Sequence, residues 1–142
     1  MHSIRRATLS DADALQALYV DVVSNATWLP QSTRSTLSFA RDTEGESVYV
    51  CCNQDAEIVG FISVYEPECF VHHLYVTQSH QGAGVGTALL KSLEVWLPLP
   101  WRLKCLERND RAMSFYRARG WAEESRAQCP DGPYVLLVKC GV

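Results

Sequence analysis

The chain has 142 residues, of which 47% are hydrophobic and 20% charged, with a formal net charge of −3. This balance predicts one soluble domain over residues 1–142 that buries a hydrophobic core. The charge and the lack of a basic run argue against nucleic acid as a partner. No apolar run reaches the ~18 residues of a membrane span, and no signal core follows Met1, which favours a cytoplasmic protein.

In chain order, the first predicted element is a short strand that contains Ile4 and Ala7. Ser10 then resembles a helix N-cap, and apolar residues at helical spacing predict a helix from about Asp11 to Ser24. A weaker pattern predicts a second helix over about Gln31–Arg41.

Three runs of β-forming residues follow, separated by turn residues. They predict strands at Ser47–Cys52, Ile58–Tyr65 and Phe70–Val76. A glycine cluster then precedes a helix whose apolar face contains Val85, Leu89, Leu93 and Trp96, and Pro98 ends it.

The last part of the chain predicts a strand at Leu103–Leu106 and a helix capped by Asn109 and ended by Gly120. Two final strands, Trp121–Ala127 and Tyr134–Lys139, are joined by a turn. The element order predicts an α/β (α+β) single domain with a mixed sheet.

The glycine cluster, Gln81–Gly86, lies between a strand and a helix. Glycines let several backbone N–H groups approach an anion, and the helix that follows points its positive end at the same place. A pyrophosphate fits this chemistry. A tight turn without a ligand is one alternative, and the loop of a dinucleotide-binding oxidoreductase is another. Against the latter, five residues separate the strand from the first glycine, and Thr87 stands at the sixth motif position.

Several motifs together resemble the GNAT superfamily of N-acetyltransferases. They are Leu74-Tyr75-Val76, then Gln81-Gly82-Ala83-Gly84-Val85-Gly86 beginning five positions after Val76, and then Asn109-Asp110-Arg111-Ala112, Phe115-Tyr116 and Gly120-Trp121. The resemblance implies a mostly antiparallel mixed sheet flanked by helices, with strands four and five splayed around acetyl-CoA.

The resemblance also implies a cofactor-binding set. The backbone of Leu74, Tyr75 and Val76 would pair with the pantetheine arm, and the stretch Gln81, Gly82, Ala83, Gly84, Val85, Gly86 and Thr87 would hold the pyrophosphate. Asn109 would lie on the cofactor side of the last helix. Ala83 stands where many members have a basic residue, so one phosphate contact is expected to be missing.

Two catalytic residues follow from the same resemblance. Tyr116 stands where the family places the acid that protonates the departing thiolate, although it also fits an apolar helix face. His72 stands where many members have a base, and its unperturbed pKa near 6.5 suits proton uptake. Adjacent strand residues face opposite sides, so His73 should pack against the helices. An ordered water is the alternative base.

The six cysteines have no CxxC pair and no zinc-ligand spacing. We therefore expect no metal site and reduced, mostly buried thiols, with Cys105 and Cys51-Cys52 in the core.

The acceptor is predicted only by class. The resemblance implies that the region of the first two helices and the last two strands bind it, and these supply Trp28, Leu29, Phe39, Tyr65, Glu66, Asp131 and Tyr134. Aromatic residues with carboxylates suit a cationic amine, and the same residues equally suit loop anchors. A polyamine, an amino acid, an antibiotic and a protein lysine are all left open, and the net charge of −3 favours a cationic small molecule over a protein. A non-catalytic acetyl-CoA-binding module is the second functional hypothesis, and a homodimer is left open.

Overall fold

The computed structural model describes residues 2–26, 29 and 37–141. Its strands are β1 (Ser3–Arg6), β2 (Ser47–Cys52), β3 (Ile58–Tyr65), β4 (Phe70–Val76), β5 (Trp101–Leu106), β6 (Ala122–Cys129) and β7 (Gly132–Lys139). Its helices are α1 (Ala12–Ser24), α2 (Phe39–Asp42), α3 (Val85–Ser92) and α4 (Asp110–Ala118). Much of the predicted helix over Gln31–Arg41, residues 31–36, lies outside the described residues.

The strands described form one seven-stranded sheet in the order β1-β2-β3-β4-β5-β7-β6. Every neighbouring pair is antiparallel except β4 and β5, which are parallel. These two strands pair only at Phe70 with Arg102 and at Val71 with Leu103, and then separate. The predicted mixed sheet with splayed fourth and fifth strands is confirmed.

Two hydrophobic clusters cover the two faces of the sheet. One contains Leu89 and Trp101 and packs under α3 and α4, and the other contains Leu15 and Tyr19 of α1. Consecutive strand residues divide between them, as period-two alternation requires: Phe61 belongs to the second cluster and Ile62 to the first. The sheet is therefore the middle layer of three.

Helix α1 begins differently from the prediction. Ser10 is not its N-cap, because Leu9–Asp11 forms a 3-10 turn and α1 starts at Ala12. Asp11 fixes that turn by accepting two bonds from the Arg5 guanidinium, at 2.8 and 2.9 Å, and one from the Thr8 backbone N–H at 2.8 Å. The Arg5 hydrogen bonds, followed by the Thr8 N–H, lower the pKa of Asp11.

The thiols are less buried than predicted. Cys51, Cys52 and Cys105 are buried in the core, as expected, and none of the six cysteines is in a disulfide. Cys69 and Cys129 are half-buried and Cys140 is exposed, so the expectation of mostly buried thiols is wrong for half of them.

The outer edge strand, β6, is exposed along seven of its eight residues. Its side chains form ion pairs, Arg126 with Glu123 and Glu107 at 2.7 Å each, and Glu124 with Arg102 at 2.9 Å. The edge of the sheet is therefore polar and charged.

Gly60 on β3 lets α3 lie close to the sheet. A Cβ at this position would be 2.9 Å from Val85 Cγ1, 3.0 Å from the Tyr75 carbonyl oxygen and 3.3 Å from Leu89 Cδ1. Real Cβ atoms essentially never come that close, and Val85 is stiff at χ1. The lack of a side chain at Gly60 therefore allows α3 to pack this close to the sheet.

We predict that Gly60→Ala lowers the free energy of unfolding by about 1–3 kcal/mol, the usual cost of overpacking a core. Gly141→Ala is the control, because nothing lies within 4 Å of its added Cβ, and it should change stability by less than about 0.5 kcal/mol. Urea unfolding followed by circular dichroism measures both. Equal stability of the two variants would contradict the close packing at Gly60.

Candidate active site

The separation of β4 from β5 opens a cavity of about 780 Å³. Most of the predicted site residues line it, namely Leu74, Tyr75, Val76, Gln81, Gly82, Gly84, Val85, Gly86, Thr87, Asn109 and Tyr116. Two predicted residues, Ala83 and His72, are not among the residues that line it. The structure thus brings together segments from β4, the glycine loop, α3 and α4.

The glycine loop presents backbone donors to the cavity. Gly82 has φ +83° and Gly84 has φ +86°, a left-handed conformation that side chains rarely allow. Gly84 is the N-cap of α3, and no side chain caps that end. The N–H groups of the first helical turn have no intrahelical partner, so they and the positive end of the helix dipole are available to an anion.

Arg119 supplies a positive charge to the same cavity, and the sequence did not predict it. Its Nε donates to Thr87 Oγ1 at 2.8 Å, its Nη1 donates to the Phe115 carbonyl at 2.9 Å, and its guanidinium lies 3.7 Å from the Phe115 ring centroid. Ala83 has no basic side chain, and Arg119, the C-cap residue of α4, provides one elsewhere in the cavity lining. The i,i+4 spacing of Phe115 and Arg119 is visible in the sequence, but the contact with Thr87, 32 residues away, is not.

Asn109 caps α4 as predicted, because its Oδ1 accepts a bond from the Ala112 N–H at 3.2 Å. It also lines the cavity, as do residues of the glycine loop. Its amide oxygen therefore fixes where α4 begins.

Tyr116 lies on the buried face of α4 and lines the cavity. Its ring packs against Trp121, with centroids 5.6 Å apart. Its hydroxyl has no hydrogen-bond partner among the described protein groups. Burial, with smaller contributions from Cys105 and Tyr75, raises the pKa of Tyr116, so the phenol stays protonated at neutral pH.

The two adjacent histidines of β4 do not alternate, so the prediction that they face opposite sides is wrong. Ser63 pairs with His73 and Val64 pairs with Val71, which leaves His72 as the extra residue of a β-bulge. The two imidazole centroids are 4.1 Å apart. A register shift of one residue thus brings both rings to the same place.

His72 contacts a carboxylate that the sequence did not single out. Its Nδ1 is hydrogen-bonded to Glu46, whose other carboxylate oxygen accepts a bond from the Ser63 hydroxyl. The Glu46 side chain is 8% exposed, whereas that of His72 is 45% exposed. His72 is therefore held by a buried carboxylate and still reaches solvent.

His73 packs towards α1, as predicted. Its ring lies 5.6 Å from that of Tyr19 and 5.8 Å from that of Tyr75. Its Nε2 donates to the Asp42 carbonyl oxygen at 3.2 Å. Burial, followed by the charge of His72, lowers the pKa of His73 to about 4, so the imidazole is neutral at physiological pH.

The residues expected around an acceptor divide between the core and the surface. Leu29 and Phe39 are buried in the cluster under α1, which favours the loop-anchor alternative for them. Tyr65 is 41% exposed, and Tyr134 lies under the Lys104 ammonium at 5.0 Å. Trp28 lies outside the described residues.

The family model described as the acetyltransferase (GNAT) family matches residues 12–121. The chain belongs to this family. The mixed sheet excludes the dinucleotide-binding oxidoreductase, which requires a parallel sheet beside its glycine loop.

Individual relatives agree with the family. An aminoglycoside N(6')-acetyltransferase type 1 from Stenotrophomonas maltophilia is 32% identical over 105 residues, which span 66% of this chain and 66% of that protein. Apo-form YjaB from Escherichia coli has a TM-score of 0.80 at 22% identity, covering 100% of this chain and 99% of that one. A GNAT acetyltransferase from Bacillus cereus has a TM-score of 0.76 at 19% identity, with coverages of 100% and 99%. The two structures share the fold of this GNAT chain.

None of the helices in the described part of the chain is both long and apolar enough to cross a membrane.

Proposed function

We propose that this GNAT chain transfers the acetyl group of acetyl-CoA to a primary amine, and that residues 1–142 form one acetyltransferase domain. The observation that carries the proposal is the cavity between the splayed strands β4 and β5, with the uncapped N-terminus of α3 at its wall. Strands on both sides of the matched segment, β1 and β7, belong to the same sheet, which supports a single domain.

The residues present fit acetyl-CoA, which supplies an acetyl group activated as a thioester. The N–H groups after Gly84 and the guanidinium of Arg119 suit the pyrophosphate. Beyond Val71, β4 has no ladder partner in β5. Its backbone along Leu74–Val76 can therefore pair with an extended, amide-containing arm as an added strand would.

The acceptor amine must lose a proton, because an ammonium has no lone pair and a lysine-like amine has a pKa of about 10.4. We assign proton uptake to His72, directly or through an ordered water, because it is exposed and lies two residues before the cavity-lining Leu74. Glu46 orients the ring through its bond to Nδ1. The N–H groups near Leu74 would donate to the thioester oxygen as negative charge develops there.

We assign protonation of the departing CoA thiolate to Tyr116. Its hydroxyl is protonated because burial raises its pKa, and no described protein group competes for its proton. The ring is fixed by Trp121 and by the neighbouring Phe115, so the hydroxyl has a defined position at the cavity wall.

The charges near His72 favour a small cationic amine as the acceptor. Glu46 bonds His72 Nδ1 and the Ser63 hydroxyl, and Glu66 bonds the Ser47 hydroxyl. These anchored carboxylates attract a polyamine more than they attract a neutral substrate. The name of the Stenotrophomonas maltophilia relative supports the same class, because an aminoglycoside carries several amines.

The first test is acetyl transfer itself. The purified chain is incubated with acetyl-CoA and a panel of aminoglycosides, linear polyamines, amino acids and lysine peptides, and release of CoA is followed by chromatography. We expect release that depends on a polycationic small molecule. Binding of CoA without transfer to any amine would instead identify a non-catalytic acetyl-CoA-binding module.

Gly84→Val should weaken CoA binding at least about tenfold, equivalent to about 1.4 kcal/mol, because a β-branched residue resists the left-handed backbone that aims the loop N–H groups at phosphate. Gly45→Val is the matched control, since Gly45 also has a left-handed φ, +79°, with nothing within 4 Å. Calorimetry measures CoA affinity in both folded variants. Equal affinities would refute the role of the loop.

His72→Gln should lower kcat/KM for the identified acceptor by roughly 10²- to 10⁴-fold, the usual contribution of a positioned base. CoA affinity should not change, because His72 does not line the cavity. Steady-state kinetics at saturating acetyl-CoA test the assignment. If the variant keeps the wild-type kcat/KM, an ordered water and not His72 accepts the proton of the amine.

Tyr116→Phe should lower turnover by roughly 10²- to 10⁴-fold, nearer the lower limit because a thiolate is a fair leaving group. The ring still packs, so folding and acetyl-CoA binding should survive. Tyr49→Phe is the control, because Tyr49 stacks on Trp96 at 4.9 Å and does not line the cavity. If both variants turn over at the wild-type rate with chemistry rate-limiting, Tyr116 is a packing residue and solvent protonates the thiolate.

A further inference from the structure

Three potential metal ligands meet at the β-bulge in β4. One donor atom from each of Glu46, His72 and His73 lies within 4.8 Å of the other two. The bulge is the cause, because regular alternation would place the two imidazoles on opposite faces of the sheet. Sequence spacing predicted no metal site, and this cluster forms only because a turn before β2 meets a strand 26 residues later.

The hydrogen bonds of His73 leave a ring nitrogen available. A carbonyl oxygen can only accept, so the bond to Asp42 places the proton of His73 on Nε2. Its Nδ1 is then a lone pair, and this atom is buried without a hydrogen-bond partner among the described protein groups. A buried unpaired nitrogen costs free energy. Metal-binding histidines characteristically donate their other ring N–H to a carbonyl or carboxylate.

Glu46 supplies the anionic ligand. Its carboxylate is anchored by the Ser63 hydroxyl and already contacts His72 Nδ1. Two imidazoles and one carboxylate are a donor set that suits Zn²⁺ and related transition-metal ions, with a fourth position open to water. The 45% exposure of His72 gives that fourth position access to solvent. Ligands at about 2.0–2.2 Å from Zn²⁺ lie roughly 3.5 Å apart. Side-chain shifts of about 1 Å would therefore bring the three donor atoms to metal-binding distance.

We infer that Glu46, His72 and His73 bind a transition-metal dication of the Zn²⁺ class, and that the bound ion inhibits acetyl transfer. The inhibitory part rests on the proposed function. A metal ion between His72 and Glu46 replaces their hydrogen bond and takes the Nδ1 lone pair. The ring proton then lies on Nε2, which leaves no lone pair on the imidazole for the proton of the amine. The ion and the acceptor proton therefore compete for the same group.

Metal binding is tested without reference to activity. The full chain is reduced, stripped with a chelator and titrated with Zn²⁺ in a calorimeter and with Co²⁺ by visible absorption. His72→Gln and Glu46→Gln remove one ligand each, and His2→Gln is the control because His2 lies outside the cluster. Circular dichroism establishes that each variant folds, and the exposed position of His72 makes its variant the safer one.

We expect one Zn²⁺ per chain and a Co²⁺ spectrum without a thiolate charge-transfer band. Zn²⁺ affinity should fall at least about tenfold in both cluster variants and stay at the wild-type value in His2→Gln. A failure to bind Zn²⁺, unchanged affinity in His72→Gln, or a thiolate band that places the ion on cysteine would each overturn the site.

Inhibition is measured with an acceptor identified by the transfer assay. Zn²⁺ should suppress wild-type turnover, a chelator should restore it, and the inhibitory concentration should rise at least about tenfold in Glu46→Gln. A chain that binds Zn²⁺ at the cluster but acetylates no amine contradicts the proposed function while the metal site stands. An active chain that is unaffected by Zn²⁺ at the cluster overturns the inhibitory role alone.

Discussion

The brevity of the parallel ladder between β4 and β5 is the constraint on which the rest of the molecule depends. Two residue pairs, at Phe70 and Val71, hold the strands together. Beyond them, the backbone groups of β4 that face the gap need partners from outside the ladder. The same separation keeps the sheet from closing over the space beneath α3 and α4. The cavity is thus a direct result of where hydrogen bonding between two strands stops.

The charge distribution follows this division of the sheet. Arg108, Arg111 and Arg119 line the cavity, together with Asp21 and Asp110. The Glu46 carboxylate is bonded to His72, which is not among the residues that line the cavity. The net charge of −3 conceals this separation. The cavity lining therefore has more positive than negative side chains, which suits an anionic ligand.

The sequence predicted most of the fold because its signals are local. Ser47–Cys52, Ile58–Tyr65 and Phe70–Val76 are strands with the predicted bounds, since runs of β-branched and aromatic residues are bordered by turns. Asn109 as a cap and Gly120 beyond the end of α4 with φ +91° follow equally local rules. The N-cap of α1 did not follow them: Asp11, bonded to Arg5, precedes the helix in place of the predicted Ser10.

The site was only partly predictable, because several of its contacts are not local. The glycine loop and Tyr116 stand within recognisable motifs, whereas the pairing of Glu46 with His72 depends on the register of separate strands. One unpaired residue in β4 brought two imidazoles together that regular alternation would separate, and no single-strand pattern encodes such a shift. Arg119 was missed for the same reason, since its partner Thr87 belongs to another helix.

The ion pairs along β6 have a consequence for behaviour at high concentration. An unpaired edge strand can extend into a neighbouring molecule, and natural sheets limit this with charge. A second copy that paired along β6 would have to reorganise Glu123, Glu124 and Arg126 together with their partners on β5 and the loop beyond it. The charged side chains of β6 therefore oppose pairing between the sheets of two molecules. Even in a crowded solution, the molecules should not associate through this strand.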